Sequence, residues 1–272
     1  MIKQIKILIL GDVVGNPGCA MIQKHVARLK ATYHADAVIV NGENSAVSGR
    51  GISAPNMKLF KQLGIDMVTS GNHIWDRKDI YGYFSEHKDL IRPANFPSGA
   101  PGLGFGTFMC HDKKIAVINV QGRVFMRENL DCPFQAVDTL LTYLKHQTPI
   151  VIVDFHAETT SEKQAMGYYL DGRVSAVVGT HTHVQTADAR VLPKGTAYIT
   201  DLGMAGALNS MLGMKKEPII ERFLTQMPQK FDVEYQGPFF MTGVCVTIAA
   251  ETGKALDIIP VRLVDEELIV SE

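Results

Sequence analysis

The amino-acid sequence predicts an α/β fold in which two packed sheets are flanked by helices. Short apolar, β-branched runs alternate with stretches of helical periodicity through the first third of the chain, and the later strand-like runs are numerous enough for a second sheet. No internal repeat or low-complexity segment interrupts them. With 272 residues, 46% of them hydrophobic and 20% charged, the chain has the composition of a soluble globular protein with a large core. A single domain over residues 1–272 is expected.

Ile5 to Leu10 is the first apolar run and stops at Gly11-Asp12, after which Met21 to Leu29 carries apolar residues at helical spacing. The texture returns with Ala37 to Val40 before Asn41-Gly42-Glu43-Asn44, a helix from Pro55 to Leu63, and Asp66 to Thr69 before Ser70-Gly71-Asn72-His73. Three β-α units of this length predict parallel strands joined by right-handed crossovers. Pro93 to Pro101, rich in Pro, Gly, Ala and Asn, predicts a loop. Beyond it, Gly104 to Met109 and Ile115 to Val120 predict an antiparallel pair, Gln135 to His146 a helix, and Pro149 to Asp154 a buried strand leading into His156. Glu162 to Leu170 predicts a helix, Val174 to Val178 and Ala197 to Thr200 predict strands, and Gly243 to Ala250 with Ala255 to Val264 a hairpin around Glu251 to Lys254. Asn209 to Gly237 reads as irregular, open to lining a crevice or meeting a second subunit.

Charge excludes some partners. The 27 Lys+Arg and 28 Asp+Glu leave a net charge of −1, so no global field recruits a nucleic-acid polymer. No apolar run approaches the roughly 20 residues that span a bilayer, and Asp12 breaks the apolar start too early for a secretory leader. Cys19, Cys110, Cys132 and Cys245 are far apart and read as reduced, mostly buried thiols, which favours the cytoplasm. Homo-oligomerisation stays open.

The chemistry-bearing residues all follow strand-like runs: Asp12, Glu43 and Asn44, Asn72 and His73, His156, then His181 and His183. In a parallel sheet such residues gather at the carboxyl edge, where open α/β folds bind ligands. His181 and His183, two apart in an extended segment, are expected on one face and within reach of one metal cluster. Singly, each position has an ordinary reading: Asp12 as a helix cap, Glu43 and Asn44 in a turn, Asn72 in a left-handed turn, His156 as a core histidine. Together they form a set of oxygen and nitrogen donors with no lysine or arginine among them to balance two carboxylates, and a pair of cations supplies that balance. Gly11, Gly15 and Gly18 match no phosphate-loop pattern. Ser70 to His73 spells the letters of the SGNH esterases, but Val13 stands after Gly11-Asp12 where their nucleophilic serine would be.

The blocks Gly11-Asp12, Asn41 to Asn44, Gly71 to His73, Asp154 to His156 and Gly179 to His183 resemble, in that order, the calcineurin-like metallophosphoesterases. Three departures, Val14 for a histidine, Glu43 for the usual bridging aspartate, and Thr180 between Gly179 and His181, are similar to the YmdB-like branch. So are Gly11 to Gly15, Gly71 to Asp76, Arg92 to Asn95, Asp154 to Glu158 and Thr200 to Met204. The resemblance implies a four-layer α/β/β/α sandwich and a phosphodiesterase acting on a small phosphodiester, such as a 2′,3′-cyclic nucleotide. It also implies that Asp12, Glu43, Asn44 and His183 hold one metal, and that Glu43 bridges to a second held by Asn72, His156 and His181. His73 then contacts the phosphoryl oxygens or protonates the leaving group. Two metals about 3.5 to 4 Å apart can hold a bridging hydroxide for in-line attack, so no protein nucleophile is needed. The donors fit iron, manganese or zinc better than calcium but do not choose among the three; iron or manganese is the expected pair, with zinc as the alternative. The rival expectation is a metal-stabilised ligand-binding regulator whose turnover is incidental.

Overall fold

The computed structural model describes residues 3–271; positions 1, 2 and 272 of the expected domain lie outside the described residues. β1 (Gln4–Val13) is buried almost throughout, as a strand covered on both faces must be, and leads into α1 (Gly15–Tyr33). That helix ends on His34 in the left-handed conformation, whose N–H returns to the carbonyls of Ala31 and Lys30. β2 (Ala37–Asn41) is followed by α2 (Ala54–Gln62), which starts with a reciprocal Ser53–Asn56 capping box and a proline in its first turn. β3 (Met67–Thr69) completes the third unit, and the short α3 (Tyr83–Glu86) follows it.

β4 (Phe105–Cys110) and β5 (Lys113–Gln121) pair antiparallel, as expected. α4 (Pro133–Leu144), β6 (Val151–His156), α5 (Thr160–Leu170), β7 (Ala176–Thr180), the two-residue β8 (Arg190–Val191) and β9 (Ala197–Ile199) follow. β10 (Met204–Ala207), α6 (Lys216–Thr225) and the hairpin of β11 (Phe239–Ala249) with β12 (Ala255–Asp265) close the chain.

The strands form two six-stranded sheets, ordered β12-β11-β10-β1-β2-β3 and β4-β5-β6-β7-β9-β8. Three hydrophobic layers separate four layers of structure. Leu8, Leu10, Ile22, Val26 and Phe60 pack α1 and α2 onto the outer face of the first sheet. Ile7, Ile9, Val244, Ile152 and Val178 fill the space between the sheets, and Val153, Phe155, Val137, Leu141 and Met166 pack α4 and α5 onto the second. The alternation along β1, Leu8 and Leu10 outward against Ile7 and Ile9 inward, is the two-residue strand period expressed as an α/β/β/α sandwich. Among the described residues, no helix is long and apolar enough to cross a membrane.

Two local expectations are corrected. The first strand does not stop before Asp12: a bulge between Leu10 and Asp12 keeps it paired to β2, and β10 adds a parallel partner at Asp12 and Val13. Gly11 is required there, because a Cβ would stand 2.1 Å from the carbonyl oxygen of Gly203. The stretch 209–237 is not irregular throughout, since it contains α6, whose start has no side-chain cap and therefore left no local signal.

Candidate metal centre

The carboxyl ends of strands from both sheets meet at one crevice and bring all eight expected residues together. His156, the last residue of β6 and fully buried, is the focus. Its Nε2 lies 3.0 Å from Glu43 Oε1, 2.9 Å from Asn72 Oδ1 and 3.0 Å from His181 Nδ1. One nitrogen carries at most one proton and cannot satisfy three such neighbours, so these four atoms describe a donor cluster. Gly71 permits it: a Cβ would lie 2.2 Å from the His156 ring.

A second group adjoins through Glu43. His183 Nε2 stands 3.2 Å from the Asn44 side-chain amide and 3.5 Å from Asp12 Oδ1, and the Asn44 amide is 3.4 Å from Glu43 Oε1. Asp12 is fully buried, and among the described residues its Oδ1 has no hydrogen-bond donor nearer than His183 Nε2 at 3.5 Å; Oδ2 accepts the His181 N–H at 3.2 Å. A buried carboxylate oxygen without a donor is costly unless a cation meets it. Two of the ordinary readings fail on this geometry, while Glu43 and Asn44 do stand in a turn and His156 is buried in the core. Val14, not Asp12, precedes α1 as its cap, and Asn72 does not adopt a positive φ.

The far nitrogens of the three imidazoles are each occupied. Thr180 Oγ1 donates to Asp154 Oδ1 at 2.7 Å and so accepts from His156 Nδ1 at 3.0 Å. His181 Nε2 meets Glu158 Oε2 at 3.0 Å, and His183 Nδ1 meets the Leu212 carbonyl at 3.1 Å. Each ring therefore turns its remaining nitrogen toward the carboxylates and amides, which is how proteins orient imidazole for a metal. Asp12, Glu43, Asn44, Asn72, His156, His181 and His183 fit two mixed oxygen and nitrogen sites that share Glu43.

His181 and His183 are not on an extended strand, which corrects the one-face expectation. Both have positive φ, 99° and 63°, and each serves a different group of donors. Thr182 between them is held by Asp201, whose Oδ2 accepts its N–H at 3.1 Å and its hydroxyl at 2.7 Å. The same oxygen takes Lys163 Nζ at 2.6 Å in an ion pair from which solvent is excluded.

Charge in the crevice is arranged by proximity. Burial opposes ionisation of Asp12 and Glu43, but His183 beside the first and His156 beside the second hold both carboxyls below their usual range. Burial would lower His156 and the Glu43 carboxylate outweighs it, raising the imidazole to about 9. His181 is pushed down to about 3 by burial and by its neighbour His156. Asp154, with burial dominant, rises to about 6.

His73 occupies a different position. Its backbone N–H donates to Glu43 Oε2 at 3.0 Å, while its partly exposed ring opens on the cleft and meets Asp76 Oδ2 through Nδ1 at 2.9 Å. That leaves Nε2 for a bound molecule. The cleft, about 620 Å³, runs from Glu43, Asn44 and the histidines to Arg50, Met211 and α6.

Sequence reasoning missed Asp76, Glu158, Asp154, Thr180, Asp201 and Lys163 as supports. The first five lie in or beside the blocks that carried the resemblance, so the text marked their neighbourhood without a role. Lys163 had no signal, because a lysine in a helix is ordinarily exposed.

A family profile described as YmdB-like protein matches residues 8–261. The chain belongs to the YmdB-like family. It is 47% identical over 264 residues to a 2′,3′-cyclic-nucleotide 2′-phosphodiesterase of Bacillus subtilis, covering 97% of this chain and 99% of the relative. A solved structure described as a novel phosphatase from Mycoplasma pneumoniae superposes with a TM-score of 0.91 at 38% identity, covering 98% and 95% of the two chains. A hypothetical protein from Thermus thermophilus superposes with a TM-score of 0.88 at 40% identity, covering 96% and 100%.

Proposed function

We propose that this protein is a metal-dependent phosphodiesterase that hydrolyses 2′,3′-cyclic nucleotides, opening the ring at the 2′ oxygen. The observation that carries the reading is the convergence of three oriented imidazoles on two buried carboxylates, one of whose oxygens has no donor nearer than 3.5 Å among the described residues. Asp12, Glu43, Asn44 and His183 would hold one metal ion, and Glu43, Asn72, His156 and His181 the other. When bound, two transition-metal ions supply Lewis acidity that acidifies water for attack on phosphorus and offsets charge on its oxygens. The donor set suits iron, manganese or zinc.

The remaining work falls to this chain's own groups. His73, turned by Asp76, holds a proton on Nε2 for the departing ribose O2′. Arg50, at the cleft wall, attracts the phosphodiester anion. The name of the Bacillus subtilis relative supports the cyclic-nucleotide choice. We read residues 1–272 as one domain, because two of the three apolar layers draw on strands from both ends of the chain and the layer between the sheets joins them to the middle of it, and a cytoplasmic location agrees with four unpaired cysteines.

Elemental analysis and turnover of adenosine 2′,3′-cyclic phosphate test the reading together. Two metals per chain and release of the 3′-monophosphate are expected, with loss of both on chelation and recovery of both on reloading. Tight nucleotide binding without turnover in the loaded protein would refute it in favour of a regulator.

A further inference from the structure

Between Asn209 and Gly237 the chain leaves the sheet and returns; a Met211–Met214 bridge closes a turn in the outgoing arm, and a Met214–Val233 bridge joins that arm to the returning one. One arm is tied to the metal centre itself, because the Leu212 carbonyl receives His183 Nδ1. The excursion is therefore held in register with the donor cluster, and α6 stands over the cleft. Ile219, Arg222, Phe223 and Gln226 line that cleft at spacings of three and four, so one face of α6 forms its wall. Ile219 is the buried seat of this face, whereas Phe223 remains 72% exposed. A large aromatic ring left in solvent at the mouth of a polar site has unused stacking surface. Beside it, the Arg222 guanidinium lies 5.3 Å from the Phe231 ring centroid and also faces the cleft.

We infer that Phe223 and the Arg222–Phe231 pair form a stacking platform for the nucleobase, so that this enzyme reads the base as well as the cyclic phosphate. The inference rests on the phosphodiesterase reading above and adds the part of the substrate recognised away from phosphorus. A flat, neutral heterocycle suits the wall: aromatic rings and guanidinium planes stack on any base face, and α6 offers no carboxylate among its cleft-lining residues. Recognition of this kind tolerates different bases, so purine and pyrimidine cyclic nucleotides should both be accepted, with the larger purine surface favoured.

The test compares metal-loaded wild type, Phe223→Ala, Arg222→Ala and Phe223→Tyr on adenosine 2′,3′-cyclic phosphate and on ribose 2,3-cyclic phosphate, which lacks the base. Base–aromatic stacking corresponds to about 5- to 150-fold in affinity, and the exposure of Phe223 points to the lower end. Phe223→Ala should therefore raise KM for the adenosine substrate about 5-fold or more while leaving the ribose substrate and the metal content unchanged. Phe223→Tyr should restore the KM, because it keeps the ring face. Equal kcat/KM of wild type on both substrates would overturn the platform and leave the phosphodiesterase reading standing. So would an Ala variant that loses both substrates equally, or one that changes only the oligomeric state. If wild type cleaves neither substrate, the underlying reading fails and the platform falls with it.

Discussion

Replacing Asp201 by asparagine should weaken the fold and the metal centre at once. The carboxylate accepts from Lys163 Nζ at 2.6 Å, from Thr182 twice, and through Oδ1 from the Gly203 N–H at 2.8 Å. Asparagine keeps the volume, removes the charge and turns one acceptor into a donor, leaving the Lys163 ammonium 1% exposed and unpaired. Breaking a buried pair from one side costs about 3 to 5 kcal/mol. At about 2.1 cal/mol/K of unfolding entropy per residue, the 272-residue chain should melt about 5 to 9 °C lower. The centre suffers separately, since Thr182 loses the anchor that holds His181 and His183 in positive-φ conformations, each costing about 1 to 2 kcal/mol. Calorimetry of the metal-free protein reads the first effect, and metal affinity reads the second. A double variant, Lys163→Met with Asp201→Asn, removes both charges and should recover much of the lost stability while metal affinity stays low. Melting of Asp201→Asn within about 2 °C of wild type, or undiminished metal affinity, would refute the reasoning.

Glu43→Gln should deplete both metals more than Asp12→Asn does, because one carboxylate faces both groups of donors; retention of two metals at full activity, by elemental analysis, would make Glu43 a turn residue. His73→Ala should lower kcat by about 10²- to 10⁴-fold with metal content intact, and the loss should shrink for an aryl phosphodiester whose leaving group needs no proton. Loss of a metal in that variant would place His73 among the ligands. Metal uptake by the stripped protein should strengthen with rising pH. His156, raised to about 9, is protonated near neutrality and must release that proton to bind an ion, whereas His181, lowered to about 3, has none to lose. Titration calorimetry in buffers of different ionisation enthalpy should register the released proton; pH-independent affinity between pH 6 and 8.5 would contradict it.

The order of elements and the residues at their ends were legible in the one-dimensional pattern. Short, β-branched apolar runs such as Ile5 to Leu10 mark strands buried on both faces, and donors at strand ends share an edge once the strands are parallel. Hence Asp12, Glu43, Asn72, His156 and His183 could be named as one set, and the crevice holds them all. What those local rules do not contain is partnership across the sheets. β1 continues through Gly11-Asp12 because β10, nearly 200 residues later, supplies a second ladder. His181 and His183 take left-handed conformations that their own residue types disfavour, held by Asp201 and by the Leu212 carbonyl. Lys163 is buried because a carboxylate from a distant loop meets it, against the preference of lysine for water. α6 stands at the cleft at the end of an arm whose Leu212 carbonyl meets His183 Nδ1, a contact between residues 29 apart in the chain. Sequence determined which groups stand at the strand ends, since that depends on local periodicity; tertiary structure decided which nitrogen each imidazole presents, since that depends on acceptors far away in the chain.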